Sequence, residues 1–384
     1  MHVLVTGGAG FIGRHLVPIL LERGHEVSIL DSLAENVHGQ DPKLPAFLTQ
    51  DCRFVTGDIR DPDAWALLDD RAPEAVIHLA AETGVGQSMY EIGRYTDVNI
   101  QGTSVMLDQL RDRYGGVGRI VVASSRAVYG EGSYRREDGR IVTPPARSAE
   151  RLAQGLWEPV DPSGAGELAS IPTAEDAPRV PTSVYAMTKS AQEDLVQIAG
   201  PTLGASTAVL RYANVYGEGQ PLTNPYTGVL SAFALRLVHG QQPSVYEDGQ
   251  PSRDFVHVAD VAMATALATE SDESLTANVG SGERWTLEQI ARRLTQVFGM
   301  DPSGVVVTGQ YRVGDIRGFL ADIDELATVL GFQPAIGLGE GLQRFGSWVS
   351  SEATIPETDV ASMAEAQLRA KGLLGRVAPV GRTE

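Results

Sequence analysis

The sequence predicts an α/β protein built on a doubly wound parallel sheet, followed by a smaller C-terminal α/β lobe. Three observations carry this reading. Five short runs in the first half, at 2–6, 26–30, 53–57, 75–81 and 119–124, are apolar almost throughout, as strands buried on both faces are. Stretches of helical period separate them at 11–23, 62–70 and 97–113, so strand and helix alternate. Finally, 384 residues with 42% apolar and 21% charged side chains supply a core of ordinary size.

The first strand, HVLVT, runs into TGGAGFIG, which places Gly7, Gly10, Phe11, Ile12 and Gly13 at a turn and the opening of the first helix. Glycine lets a pyrophosphate approach the backbone there, and the helix N-terminus adds free N–H donors and partial positive charge. Tight turns use the same residues, but the position between a strand and an amphipathic helix points to a dinucleotide. The second strand ends in EVSILD, where the Asp31 carboxylate can accept both ribose hydroxyls of NAD and would repel the 2′-phosphate of NADP. A turn or helix cap is the other use of Asp31. Asp58, in TGDIRD at the exit of the third strand, is placed to reach the adenine or to form an Asx-turn before Asp61-Pro62.

The second half reads as helices at 184–199, 228–239, 258–269, 286–298, 323–330 and 338–350, with short strands such as TAVLRY and VVVTG between them. Such a lobe packs against the carboxyl edge of the sheet, where a substrate sits. The division is therefore a dinucleotide-binding domain over 1–130 and 180–215, and a substrate lobe over 216–350. Residues 131–179, rich in Pro, Gly, Arg and Glu, are too long for an ordinary loop and read as an inserted lid or interface element. Residues 351–384 read as a peripheral tail.

A net charge of −18 opposes binding to nucleic acid or to an anionic membrane, and no segment has the roughly 20 apolar residues of a membrane helix. An anionic ligand would need local arginines. Cys52 is the only cysteine, which excludes an intrachain disulfide and a multi-cysteine zinc site and fits a cytoplasmic address.

YAMTK sets Tyr185 and Lys189 four residues apart, on one helix face. A nearby ammonium favours the phenolate and so suits the tyrosine to general-base work, although an exposed helix pair has the same spacing. Taken together, TGGAGFIG, Asp31, GDIRD, HLAA at 78–81, DVNIQGT, SSRAVYG, YAMTK and RYANVYG resemble the extended short-chain dehydrogenase/reductases that act on nucleotide sugars. The motifs run in order over residues 1 to about 350.

The resemblance implies a Rossmann-type NAD site that includes Ile59, Leu79, Ala80 and Ala81. It implies Tyr185 as base and acid, Lys189 as its partner on the nicotinamide ribose, and Ser125, aligned on VYG, as the hydroxyl that holds the reacting sugar hydroxyl. Ser124 then faces the fold or the cofactor. Asn99 resembles the residue that orients the lysine, and a helix N-cap is its alternative. Asn214, in RYAN, and Arg253, in SRDFVHV, resemble contacts to the sugar-nucleotide diphosphate, as does at least one of Arg312 and Arg317 in YRVGDIRG. Arg126 is assigned to the same substrate. Asp254 and His257 read as ordering this lobe.

Within that family, dehydratases carry an Asp-Glu pair after the catalytic hydroxyl, and decarboxylases carry Glu at the second position. Here Arg126 and Ala127 stand there, so elimination lacks its acid and base. What remains is 4-epimerisation of a nucleoside-diphosphate sugar, dTDP- or UDP-linked, with NAD retained. A 4-ketoreductase is the alternative, and a non-catalytic nucleotide sensor the distant third. GVGQSMYEI, DSLAENVHG and SVYAMTKSAQE resemble the dTDP-L-rhamnose 4-epimerases and their relatives. In such relatives the insertion often has cysteine pairs near a WEP sequence. This chain has VDPSG at 160–164 instead, so no metal is expected, and the insertion is expected to be held by Trp157. The resemblance also implies a homodimer packed through the helices at 97–113 and 184–199.

Overall fold

The five apolar runs of the first half pair side by side in a seven-stranded parallel sheet. The computed structural model describes residues 1–39, 41–68, 71–164, 166–222, 228–351, 355 and 360–377. Its main strands are β1 (His2–Thr6), β2 (Glu26–Asp31), β3 (Arg53–Thr56), β4 (Ala75–His78), β5 (Arg119–Ser125), β6 (Ser206–Tyr212) and β7 (Leu275–Val279). Their order is β7-β6-β5-β4-β1-β2-β3. The chain reverses direction across the sheet between β1 and β4, each of which is paired in parallel with the other (Val3 opposite Ala75, Thr6 opposite His78). The loops leaving those two strands diverge and open a crevice.

Helices cover both faces, which is why these strands can be apolar on both sides. On one face α1 (Phe11–Glu22) lies beside α5 (Val258–Glu270), and Leu16, Leu20, Ala262 and Ala266 pack with Val5 and Ile29. On the other, α2 (Gly102–Asp112) and α3 (Val184–Ala199) pack Met106, Leu110 and Val196 with Val76 and Ile120. The pattern at 97–113 is not one regular helix: Asp97–Gln101 forms a π-helical turn before α2, and Asn99 in it is fully buried. The helix read at 62–70 is described as Pro62–Ala66, with Asp61 as its N-cap; Asp69 and Asp70 lie outside the described residues.

The smaller lobe has its own core, where α4 (Val229–Val238), α6 (Leu287–Val297) and α7 (Leu338–Ser351) bring Leu230, Phe233, Ile290, Leu294, Leu342 and Phe345 together. Thr286 and Gln289 close a capping box at the start of α6, which fixes its first turn.

The insertion folds as a three-stranded antiparallel sheet, with Tyr134–Arg136 between Ile141–Val142 and Leu168–Ser170. Its main anchor is Arg147 and not Trp157. The buried guanidinium of Arg147 donates to Glu131 Oε1 at 3.1 Å and to both oxygens of Glu247 at 2.8 Å. It also reaches the carbonyls of Trp157 and Asp315. Trp157 is half-buried and lies 6.3 Å, centroid to centroid, from Tyr311. A fixed fork with five donors can satisfy several carboxylate and carbonyl oxygens at once, which an indole cannot. At 160–164, Asp161 accepts from the Ser163 amide and hydroxyl and from Arg136, forming a polar turn.

The segment read as a peripheral tail is packed. Helix α8 (Val360–Ala370) is followed by strand β9 (Leu374–Arg376), which pairs antiparallel with β8 (Gln310–Arg312). Leu368 and Leu374 are buried, so hydrophobic burial and strand pairing hold this segment to the lobe. Residues 352–354, 356–359 and 378–384 of the tail lie outside the described residues.

Candidate active site

The crevice between β1 and β4 continues under the smaller lobe as one cavity of about 790 Å³. Its sheet end is made by the glycine loop. Gly7 has a φ of 72°, and a Cβ there would stand 2.7 Å from the Ala80 amide nitrogen. Only glycine therefore lets the loops after β1 and β4 close on each other. Gly10 is the N-cap of α1, and Gly10, Phe11, Ile12 and Gly13 line the cavity, so the helix N-terminus faces it as an anion site requires.

Asp31 ends β2 with its oxygens turned to the same space. Oδ2 accepts the Ala9 amide and Oδ1 the Leu33 amide, both at 2.9 Å. Each carboxylate oxygen has two acceptor sites, so one remains on each for a ribose hydroxyl. Asp58 lines the cavity, accepts the Arg60 amide at 2.8 Å in an Asx-turn and pairs with the Arg60 guanidinium at 2.6 Å. Ile59, Leu79, Ala80 and Ala81 complete this wall. These residues fit NAD.

At the middle of the cavity, β5 and α3 bring Ser125, Arg126, Tyr185 and Lys189 to one wall. Ser183 caps α3, which sets the rotation of its first turn and so points Tyr185 inward. Burial raises the Tyr185 phenol, against which a hydrogen bond with Ser125 and the charge of Arg126 act to lower it. Tyr95 packs edge-on against its ring at 6.5 Å. Burial lowers Lys189 to about 7, with Glu193 opposing, and Lys189 Nζ donates to the Ala123 carbonyl at 2.9 Å. Of the two cations on this wall, Arg126 is the one that lowers the phenol. The i, i+4 spacing put Lys189 on the right face without showing that its ammonium hydrogen-bonds back to β5.

Ser124 donates to the buried Glu193, which also holds Arg211 at 2.7 Å. Asn99 does not hydrogen-bond Lys189. It accepts the Glu82 amide at 2.7 Å and donates to Thr188 at 2.9 Å, so it ties the loop after β4 to α3 from behind. It lies in the π-helical turn, not at a helix N-cap.

The lobe end is cationic. Arg253 and Arg312 line the cavity with Asn214, Arg236, Tyr246 and Asp315. Arg253 donates to Asp315 at 2.7 Å; burial would raise Asp315, but Arg253, Arg312, Arg147 and Arg126 outweigh it and hold its carboxyl at about 2. The Nε of Arg312 and the Oδ1 of Asn214 are buried without a hydrogen-bond partner among the described residues, a donor and an acceptor left for a ligand. Arg317 is placed elsewhere: its guanidinium binds Glu158, Glu247 and Asp248, and it does not line the cavity. Asp254 accepts the Ser281 and Gly282 amides, and His257 caps α5. Tyr246, Arg236 and Asp315 carried no distinct signal except the nearness of Asp315 to Arg312 in VGD.

Among the described residues, no helix is long and apolar enough to cross a membrane. The family model described as the NAD dependent epimerase/dehydratase family matches residues 3–149 and 163–280. The chain is 37% identical over 356 residues to the dTDP-L-rhamnose 4-epimerase of Burkholderia thailandensis, covering 91% of this chain and 95% of that one. A UDP-glucose 4-epimerase from Thermotoga maritima, solved with UDP-glucose, superposes with a TM-score of 0.73 at 29% identity, over 91% of this chain and 99% of the other. The NAD complex of the Thermus thermophilus UDP-glucose 4-epimerase gives 0.70 at 30% identity, over 92% and 100%. With the glycine loop, the Ser125–Tyr185–Lys189 wall and these matches together, the chain belongs to the NAD dependent epimerase/dehydratase family.

Proposed function

We propose that this protein is an NAD-dependent nucleotide-sugar 4-epimerase acting on a dTDP- or UDP-linked sugar. The observation that carries the reading is that Ser125, Tyr185 and Lys189 line the same cavity as the glycine loop and as Arg253 and Arg312. A sugar nucleotide whose diphosphate rests on those guanidinium groups presents its sugar to Ser125 and Tyr185.

Bound NAD supplies reversible hydride acceptance at sugar C4. Ser125 holds the C4 hydroxyl, and Tyr185 takes its proton and later returns one. Arg126 favours the phenolate electrostatically, and Lys189, one helical turn from Tyr185, does so in its charged form. Net inversion needs the sugar to offer both faces in turn. Nothing beside Ser125 can eliminate water, because Arg126 and Ala127 bring no carboxyl group.

We further propose a homodimer through α3, whose Met187 and Ile198 are 40% and 75% exposed, in the cytoplasm, where the lone Cys52 stays reduced. Sedimentation at micromolar concentration tests the dimer.

The test of function is incubation of purified protein with dTDP- and UDP-sugars, with no cofactor added, and NMR of the product. Inversion at C4 is the expected outcome. Turnover that consumes added NADH, or an elimination product, would overturn the epimerase reading.

A further inference from the structure

The packed C-terminal segment reaches the lobe end of the cavity. Glu365 of α8 is one of the lining residues, and its Oε1 lies 3.4 Å from Arg236 Nη2 on α4. Tyr246 lines the cavity beside Glu365, and the Arg312 guanidinium lies over the Tyr246 ring at 5.9 Å. Two residues further along α8, Gln367 accepts from the Tyr90 phenol at 3.4 Å, and Lys371 Nζ, just past the helix, stands 5.9 Å from that ring. Tyr90 belongs to the segment after β4 whose Gly84 and Val85 line the opposite wall of the cavity. The segment thus touches both rims, one built by the dinucleotide domain and one by the lobe.

We propose that residues 360–377 form a strap across the nucleotide entrance and that Glu365 is its latch: the Glu365–Arg236 ion pair must open each time a nucleoside diphosphate enters or leaves. This rests on the nucleotide-sugar reading above. Two anchoring strengths support a hinged strap. The β9 end is fixed by main-chain pairing with β8 and by buried Leu374. Gly375 allows this, since a Cβ there would run into the Tyr311 ring. Helix α8 buries Ala364 and Leu368, but at the cavity it meets the lobe through a partly exposed polar pair, Arg236 at 18% and Glu365 at 25%, and such pairs break readily. A strap held shut without ligand is a kinetic barrier in both directions. It would also retain a sugar while its oxidised form turns over between two half-reactions.

Glu365 acts through Arg236 and the strap, and is a positioning residue. The test uses the NAD-loaded full-length protein, with association and dissociation of tritiated dTDP and UDP followed by rapid filtration after an unlabelled chase. Glu365→Gln should raise both rates by about two- to fivefold, the worth of a partly exposed ion pair, and leave Kd within about twofold. Truncation before residue 360 should raise both rates further. A melting curve and NAD content unchanged in Glu365→Gln separate gating from misfolding. Unchanged rates in both variants overturn the latch. Tighter binding in Glu365→Gln, through an unchanged on-rate and a slower off-rate, also overturns it, because the carboxylate would then be only a competitor of the diphosphate. If the wild type binds neither nucleotide, the nucleotide-sugar reading itself fails and the strap proposal with it.

Discussion

The ammonium of Lys189 donates to the Ala123 carbonyl at 2.9 Å, so the cation of α3 is tied to β5 two residues before Ser125. The lysine is 4% exposed, and burial brings it from 10.5 to about 7. A buried base with a depressed pKa binds fewer protons folded than unfolded between those two values. Stability therefore rises with pH through that window. Below about 7 the folded protein carries the full cost of the buried charge, an upper bound of about 4–5 kcal/mol from the size of the shift. Lys189→Met should raise the melting temperature of the NAD-free protein at pH 6, and the gain should shrink toward pH 9. Calorimetry at the two pH values checks it, and an equal gain at both would refute the assignment.

Tyr185 lines the cavity with Ser125 and carries a phenol that can transfer a proton. Tyr185→Phe should lower kcat by about 10²–10⁴-fold, the worth of a positioned acid or base. NAD content should be unchanged. Ser125→Ala should cost less, because it removes orientation and leaves the phenol.

Arg126 lowers the phenol electrostatically, while burial and Arg253 lower Arg126 itself to about 10. Removing that cation raises the Tyr185 pKa. A general base acts above its pKa, so in Arg126→Met the rise of kcat with pH should move to higher pH by roughly one unit. Arg126→Lys should restore most of the profile. An unmoved profile in Arg126→Met would show that the guanidinium acts only on the substrate.

Asp31 combines two backbone hydrogen bonds with a place on the ribose side of the cavity. Asp31→Asn should weaken NAD by about tenfold, near 1.4 kcal/mol and in line with the loss of a charge-assisted hydrogen bond. It should also narrow the preference over NADP, because the repelling charge is gone. Titration calorimetry with both dinucleotides reads the two effects.

Arg147 neutralises Glu131 and Glu247, each at most 4% exposed. Burial raises Glu131 to about 7 even with Arg147 beside it. Arg147→Met removes the guanidinium these carboxylates share, leaving Arg317 as the remaining cation on Glu247, and should destabilise the protein by about 3–5 kcal/mol. Proteolysis should then cut first within 131–179, and denaturant melts report the energy.

Some of this was legible in the chain and some was not, for definable reasons. β1, β4 and β5 are buried on both faces, so their apolar runs stand out without any partner being known. Tyr185 and Lys189 are four residues apart on one helix, and a local period reports a shared face. Arg312 and Arg317 are alike in residue type and neighbourhood. One faces the cavity and the other three carboxylates, because Glu158 and Asp248 happen to stand on the other side of that loop. Arg147 meets Glu247 across 100 positions and Arg236 meets Glu365 across 129; no period or spacing reports such pairs.

The sequence by itself determined the doubly wound sheet, the glycine loop at the dinucleotide end and the shared helix face of Tyr185 and Lys189, since each is written in local pattern: strand apolarity, glycine at the turn, and residues one helical turn apart. Only the tertiary structure decided that Lys189 bonds back to β5, that Arg126 lowers the phenol, that Arg147 holds the insertion, and that Glu365 of the C-terminal segment reaches Arg236 at the cavity. Those contacts are made by side chains brought together from distant parts of the chain. Their electrostatics depend on burial, which is a property of the assembled fold and not of any residue in it.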